Sequence, residues 1–136
     1  MPGPRVFSVD DVTALIPKLE KLFQRMDEVK ARLKTLTIRI NALEIIWGAK
    51  LQEESNPDHG EFQHHVAEMK SNQEEFERYT KAITKLGGQV KSAEPPLVDF
   101  YGVRDGRLVF WCWTRGETVV NHWHHLDQGF ADRQPI

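Results

Sequence analysis

With 136 residues, the chain is long enough for one compact domain or for one rod with a small attached module. Its 18 Lys and Arg residues against 20 Asp and Glu residues give a net charge of −2, which argues against nucleic acid or an anionic membrane as partner. No apolar run approaches the ~20 residues of a membrane span, and the N-terminus lacks the regions of a signal peptide, so we expect a cytoplasmic protein.

The first predicted element is a long helix over residues 8–53, organised around one apolar stripe. We expect Ser8 to cap this helix with Asp11 as its capping-box partner. Pro17 should interrupt the helix with a kink or a break. The stripe recurs at alternating steps of three and four residues, which is the spacing of a coiled-coil seam: Val12, Leu15, Leu19, Leu22, Met26, Val29, Leu33, Leu36, Ile40, Leu43 and Trp47.

A second helix is predicted over residues 61–86, after a loop at 54–60 that is rich in turn-forming residues. Its seam has the same spacing: Phe62, Val66, Met69, Gln73, Phe76, Thr80 and Ile83. The short loop predicts an antiparallel two-helix coiled-coil hairpin over residues 1–90, with its turn centred near Asn56. Helix two is too short to cover the first third of helix one, so we expect a homodimer formed through helix one.

Residues 91–136 form a small, aromatic-rich β-module in this prediction. Seven of the thirteen aromatic residues fall between Phe100 and Phe130. Segments 97–101 and 108–113 are typical of strands joined by a tight turn at Asp105-Gly106, whereas segment 117–126 fits a strand or a short helix. The predicted fold class is therefore α+β, mainly α, with the β-module docked on the helices.

The histidines provide the main indication of a metal site, because imidazole is a common transition-metal ligand. In the C-terminal segment, Asp99, Glu117 and His124, with His122 as a fourth candidate, form a mixed carboxylate and imidazole set suited to zinc, iron or manganese. The alternative is structural: Asp99 caps a strand end, Glu117 pairs with an arginine, and the histidines hydrogen-bond around Trp123.

A second candidate metal site lies between the predicted helices, where Glu44, His65 and Glu68 would project towards each other, as ligands do in metal-binding bundles. Its alternative is a set of solvated ion pairs that flank the seam. The lone Cys112 stands in an apolar run, and we expect it to pack as a small hydrophobic residue.

Motifs along the whole chain resemble those of the small prokaryotic proteins known as domain of unknown function 2203. They are Phe7-Ser8 with Asp11 and Leu15-Ile-Pro17, Leu97-Val-Asp-Phe100, Phe110-Trp-Cys-Trp-x-x-Gly-Glu117, Trp123-His124, Gly129-Phe130 and Arg133-Gln-Pro-Ile136. The resemblance implies a stand-alone, cytoplasmic, largely helical protein and assigns no activity. It favours the residues that coincide with its motifs: Asp99, Glu117, Trp123, His124 and Arg133.

Two functional hypotheses follow. The first is an interaction or scaffold protein that dimerises through its long helix and presents the β-module to a protein partner. The second is a metal-dependent enzyme or metal sensor built around Asp99, Glu117 and His124, with Arg133 as the group that receives an anionic substrate. No sequence motif supports catalysis without a metal.

Overall fold

The computed structural model describes residues 5–136 and shows an α+β protein with a long N-terminal helix and a C-terminal antiparallel sheet. The helices are α1, Val9–Trp47, and α2, His59–Lys85, with a short 3-10 helix at Gly48–Gln52 between them and another at Phe130–Asp132. The sheet has five strands in the order β1-β2-β3-β4-β5: Gln89–Ala93, Pro96–Arg104, Arg107–Thr114, His122–His124 and Gln134–Pro135.

The start of α1 follows the sequence prediction. The Ser8 backbone N–H donates to Asp11 Oδ2 at 3.0 Å, and the Asp11 N–H donates to Ser8 Oγ at 3.0 Å, so the capping box is confirmed. The predicted break at Pro17 is wrong, because α1 continues through it without interruption. Pro17 is exposed, and water can therefore bind the carbonyl group that its missing N–H leaves free.

The end of α1 differs from the prediction of one helix to residue 53. The α-helix stops at Trp47 because Gly48 adopts a left-handed conformation with φ +55°, which is a common way for a helix to end. The Trp47 indole Nε1–H then donates to Asp58 Oδ2 at 2.8 Å. The centre of the turn therefore comes earlier in the sequence than Asn56.

The predicted register between the helices is consequently wrong. A turn centred near Asn56 would place Lys81 opposite Arg32. Instead the Arg32 guanidinium donates to Asn72 Oδ1 at 2.7 Å and to Glu75 Oε2 at 2.8 Å. Because α1 ends earlier than predicted, the chain also reverses earlier. Each residue of α1 therefore faces a residue of α2 that lies closer to the loop than predicted.

The buried face of α2 departs from the predicted seam at two positions, whereas the last seam residue, Ile83, is fully buried. Val66 is 45% exposed and Gln73 is exposed, although both belong to the predicted seam. Their neighbours His65, which is buried, and Asn72, which is half-buried, take the inner positions. The carboxamide of Asn72 accepts from Arg32 and donates to the Glu68 carbonyl, so hydrogen bonds compensate for its partial burial.

Contacts along the chain group the described residues into two compact units. The sheet unit contains residues 5–23 and Thr80–Ile136, and the helical unit contains Gln24–Tyr79. The sequence prediction divides the chain at residue 90, whereas here the two helix segments 9–23 and 80–85 belong with the sheet. Within residues 5–136, no helix is both long and apolar enough to cross a membrane.

In the sheet unit, one face of the sheet packs against the start of the chain. The Phe23 and Trp113 rings lie 5.9 Å apart, and the Phe7 ring meets Phe100 edge-on at 5.3 Å. The Trp111 indole donates to the Phe7 carbonyl at 2.8 Å. Aromatic side chains therefore form a large part of the core of this unit, together with aliphatic residues such as Leu19 and Val98.

The turn between β2 and β3 is confirmed at Asp105-Gly106. Both residues have positive φ angles, +54° and +75°, which is the geometry of the tight turn that best matches the twist of a hairpin. Segment 117–126 is a strand only at β4, and the flanking strands β1 and β5 were not predicted.

Candidate functional site

The β2–β3 hairpin brings two polar residues together on one face of the sheet. Asp99 on β2 is paired with Cys112 on β3, so their side chains lie side by side on the same face. On β4, His124 is paired with Phe110, which is two residues from Cys112 and therefore also on this face. The three side chains come from three adjacent strands.

These three residues form a buried cluster, with exposed fractions of 3% for Asp99 and 1% each for Cys112 and His124. His124 Nε2 lies 3.0 Å from Asp99 Oδ2. One ligating atom from each residue, including the Cys112 sulfur, lies within 4.8 Å of the other two. Among the described residues, this is the cluster of three metal-ligating side chains that the fold assembles.

The protons of His124 follow from its hydrogen bonds. Its Nδ1 lies 2.8 Å from the His125 backbone carbonyl oxygen, which can only accept, so Nδ1 carries a proton. Nε2 and Asp99 then share the remaining proton: either Asp99 donates it to a neutral ring, or a charged ring donates it to the carboxylate. A histidine held by a carbonyl at one nitrogen presents the other nitrogen to a metal in many metal sites.

In the absence of a metal, the environment of Cys112 disfavours the thiolate. Burial, together with the charge of Asp99 and a hydrogen bond to it, raises the pKa of the thiol to about 12 against the opposing effect of Arg133. Both ring nitrogens of His124 are engaged by Asp99 and by the His125 carbonyl, so the ring is not placed as a base for the thiol. Cysteine nucleophilic catalysis therefore has no support here.

Glu117 belongs to a second polar group beside this cluster. Its Oε1 accepts from the Thr114 backbone N–H at 2.8 Å and from Arg133 Nη1 at 3.1 Å. His122 Nδ1 lies 3.3 Å from Glu117 Oε2 without hydrogen-bond geometry, and it has no hydrogen-bond partner among the described residues. Glu117 thus holds the turn after β3 and neutralises Arg133.

Arg133 lies between the two groups, because it contacts both Glu117 and the Cys112 thiol. Its guanidinium also stacks on the Phe130 ring, 4.3 Å from the centroid. These contacts occupy the side chain that the sequence analysis offered as an anion-binding group.

The second candidate site is not assembled. His65 Nε2 lies 3.3 Å from Glu61 Oε1, and Glu68 pairs with His64 one turn away on the same helix. Glu44 is exposed and does not join them. Each of these histidines is instead paired with a carboxylate four residues away on α2, which is the ion-pair alternative.

The structure therefore brings together Asp99 and His124 from the candidate residues, and it places Glu117 with His122 and Arg133 next to them. The residue that sequence analysis missed as a site residue is Cys112. The sequence contains a signal that identifies it: a two-residue turn at Asp105-Gly106 fixes the register of β2 and β3 and makes Asp99 and Cys112 direct cross-strand partners.

Fold and site together define a class of small α+β protein, in which two long helices accompany an antiparallel sheet with a buried Asp, Cys and His cluster. The chain belongs to the family described as uncharacterized conserved protein (DUF2203), whose model matches residues 5–136. No curated protein and no solved structure matches the chain. The cluster itself must therefore carry the functional argument.

Proposed function

We propose that this protein binds one divalent transition-metal ion, zinc or iron(II), through Asp99, Cys112 and His124. The observation that carries the proposal is that a carboxylate, a thiol and an imidazole, from three different strands, have ligating atoms within 4.8 Å of one another in a buried site. This mixture of ligands suits zinc and iron(II), whereas manganese prefers oxygen ligands and fits less well than the sequence alone suggests.

The spacing of the donor atoms supports this assignment. Ligands at the usual zinc distances lie about 3.5 Å apart in a tetrahedral site. The separations here run from 3.0 Å between Asp99 and His124 to at most 4.8 Å, so the side chains need shifts of only about 1 Å to surround an ion. The carbonyl of His125 holds the His124 ring by its Nδ1–H, which leaves Nε2 as the ligating atom. Coordination would deprotonate the thiol outright and overcome its raised pKa.

Charge balance supports a divalent cation. Asp99, Glu117 and a metal-bound Cys112 thiolate would together carry three negative charges, and Arg133 carries one positive charge. A divalent ion would make this partly buried group neutral, which removes most of the cost of burying its charges. In this arrangement Glu117 and Arg133 would orient and neutralise the ligands, and would not bind the ion themselves.

We favour a metal sensor over a metal-dependent enzyme. Three protein ligands leave one coordination position open, as in catalytic sites. The ligands are at most 3% exposed, however, so a substrate has little access to that position. We place the protein in the cytoplasm, where the reducing conditions keep the single thiol available for metal binding.

Metal titration of untagged full-length protein tests this proposal. We expect one zinc ion per chain by equilibrium dialysis, and a cobalt(II) derivative whose thiolate charge-transfer absorption disappears in Cys112→Ser. His124→Ala should weaken zinc binding at least ~100-fold, since it removes a ligand and not only a second-shell partner. His64→Ala, which removes an exposed histidine, is the matched control and should bind as the wild type does.

Circular dichroism of each variant would separate loss of the site from loss of the fold. Folded wild-type protein that takes up no zinc at excess metal would contradict the proposal. Zinc binding that is unchanged in folded Cys112→Ser would contradict the ligand set.

We also propose that the helices form an antiparallel coiled-coil hairpin and that α1 mediates a homodimer, which would make the protein an interaction module as well. A specific observation favours self-association. Ile38 and Ile45 are 60% and 85% exposed, and they belong to a second stripe with heptad spacing on the helical unit. The stripe consists of Ala31, Thr35, Ile38, Ala42, Ile45 and Ala49, all of which are exposed.

Light scattering tests the dimer at micromolar concentration. We expect twice the 15.8 kDa mass of the chain for the wild type and the monomer mass for the double variant Ile38→Glu with Ile45→Glu. Val103→Glu is the matched control, because Val103 is an exposed apolar residue of the sheet unit. A wild-type monomer would overturn the dimer and leave the metal proposal untouched.

A further inference from the structure

We propose that a pocket at the turn end of the β2–β3 hairpin binds a phosphate group, either inorganic phosphate or the phosphoryl group of a small metabolite. The pocket has a volume of about 330 Å³ and is lined by Arg104, Asp105, Arg107, Val109, Trp123 and His125. Pockets for small ligands begin at about this size, so a bare phosphate would not fill it.

The pocket lies on the face of the sheet opposite to the Asp99, Cys112 and His124 cluster. Trp123 precedes His124 on β4, and successive residues of a strand point to opposite faces. Trp123 is paired with Trp111, whose face carries Val109 as well. The two sites therefore share a strand without sharing a side chain.

Charge is the first argument for a phosphate. Arg104 and Arg107 are directly paired across the hairpin, next to the turn, so their side chains emerge on the same face. Like charges in this position repel each other, and an anion between them would relieve the repulsion. Among residues 5–136, neither arginine has a carboxylate partner within ion-pair distance, and Asp105 is the one acidic residue of the lining.

The aromatic wall is the second argument. The Arg104 guanidinium lies over the Trp123 ring, 4.8 Å from its centroid, and the His125 ring meets the same indole edge-on at 4.9 Å. Stacking fixes the plane of the guanidinium, so its edge N–H groups keep a defined direction for an oxyanion. His125 adds a third group that can donate to phosphate.

An unsatisfied donor is the third, independent argument. Trp123 is 9% exposed, and its indole Nε1 is buried without any hydrogen-bond partner among the described residues. Buried donors are nearly always paired in folded proteins, so an unpaired donor in a side chain that lines the pocket calls for an acceptor close to it. Because solvent does not reach this nitrogen, phosphate binding has to shift the side chains around Trp123 before an oxygen atom can accept from it.

The choice of phosphate over carboxylate rests on the number of donors. A carboxylate is satisfied by one bidentate arginine, whereas a phosphate group has enough oxygens to engage two arginines and a histidine together. The remaining apolar lining, Val109 and the Trp123 ring, suits a small carbon skeleton attached to the phosphoryl group.

Isothermal titration calorimetry of the full-length protein with inorganic phosphate and with glycerol 3-phosphate tests this site. We expect binding of both, tighter for the larger molecule if the metabolite is the occupant, and at least tenfold weaker binding in Arg104→Gln and Arg107→Gln. Arg78→Gln, which neutralises an exposed arginine on α2, is the matched control and should bind as the wild type does.

Two further measurements keep the result interpretable. The Trp123 indole N–H resonance, assigned with Trp123→Phe, should shift on phosphate addition in the wild type and stay in place in Arg107→Gln. Zinc binding should be unaffected by both arginine variants, so this site and the metal centre can fail separately. Acetate that binds as well as phosphate, or phosphate binding unchanged in the two variants, would overturn the proposal.

Discussion

The sheet unit and the helical unit are stabilised in different ways. In the sheet unit the core includes large aromatic side chains that contact each other, and Trp111 donates to the distant backbone carbonyl of Phe7. In the helical unit the buried apolar side chains of α1, among them Met26 and Val29, form one narrow stripe, and a partly exposed ion pair joins Arg32 of α1 to Glu75 of α2. Surface ion pairs of this kind contribute little to stability.

The two kinds of function that we propose belong to different units. The buried cluster and the arginine-lined pocket both lie in the sheet unit, where packing holds side chains in fixed positions. Exposed apolar residues such as Ile45 and Ile46 lie on the helical unit, where a helix surface is available to another chain. Chemistry and association are therefore assigned to different parts of the chain.

The largest expected effect breaks the core of the sheet unit. Phe23→Ala removes a ring that is 1% exposed and packs on Trp113, and it should lower the free energy of unfolding by about 4 kcal/mol. Leu43→Ala, in the stripe of the helical unit, should cost about 2 kcal/mol because Leu43 is 9% exposed and less completely packed than Phe23. Urea unfolding followed by circular dichroism measures both, and equal losses would contradict the comparison.

A smaller effect tests how closely the sheet unit is packed. A Cβ atom on Gly102 would lie 2.0 Å from the Trp111 indole nitrogen, so Gly102→Ala should destabilise the protein by about 2 kcal/mol. In α2, a Cβ on Gly60 would meet nothing within 4 Å, and Gly60→Ala should stabilise by about 0.5 kcal/mol through its higher helix propensity. Opposite signs in the same unfolding assay are the expected outcome; a loss in both would refute it.

The smallest effect concerns the first turn of α1. The backbone N–H and the hydroxyl of Ser8 lower the pKa of Asp11 below its ordinary value. A carboxyl group with a lowered pKa stabilises the fold at all pH values above its unfolded pKa, and this contribution is lost as the pH falls through the lower, folded value. Asp11→Asn should thus be less stable than the wild type at pH 7, and the two should converge in acid. A difference that does not depend on pH would exclude the carboxylate as the cause.

Sequence periodicity predicts the existence of both long helices, but not their exact faces or ends. The end of α1 at Gly48 is a matter of one backbone conformation, which a run of apolar residues through Leu51 conceals. The face of α2 was assigned to Val66 because it is apolar, yet His65 is the buried neighbour and has a carboxylate one turn away. Apolarity alone cannot identify a stripe that includes polar residues with partners.

The candidate site was partly predictable for a similar reason. Asp99 stands six residues before the turn and Cys112 six residues after it, so their pairing follows from the turn alone. The position of His124 does not, because the segment between β3 and β4 has no regular structure and sets no register. Strand β5 has only two residues, one of them Pro135, which is too little for any periodic signal.

The order in which the chain can fold follows from the contacts that close the sheet unit. Three hydrogen bonds join residues that are far apart in sequence. Trp111 and Phe7 are separated by 104 residues, Val120 and Thr13 by 107, and Gly116 and Glu20 by 96. Contacts this distant in sequence form slowly when an open chain must close such a loop. The helical unit, by contrast, is a continuous segment whose contacts span much shorter stretches, such as the 40 residues from Arg32 to Asn72.

We therefore expect residues 24–79 to fold first during synthesis and to hold the segments on either side of them close together. Once residues 24–79 are folded, residues 23 and 80 are no longer the ends of a flexible loop. The entropic cost of forming the contacts of Trp111 with Phe7 and of Val120 with Thr13 is then lower. The N-terminal segment can nevertheless pack against the sheet only when nearly the whole chain has emerged from the ribosome. Until then the apolar side chains of Val12, Leu19 and Phe23 are exposed to solvent.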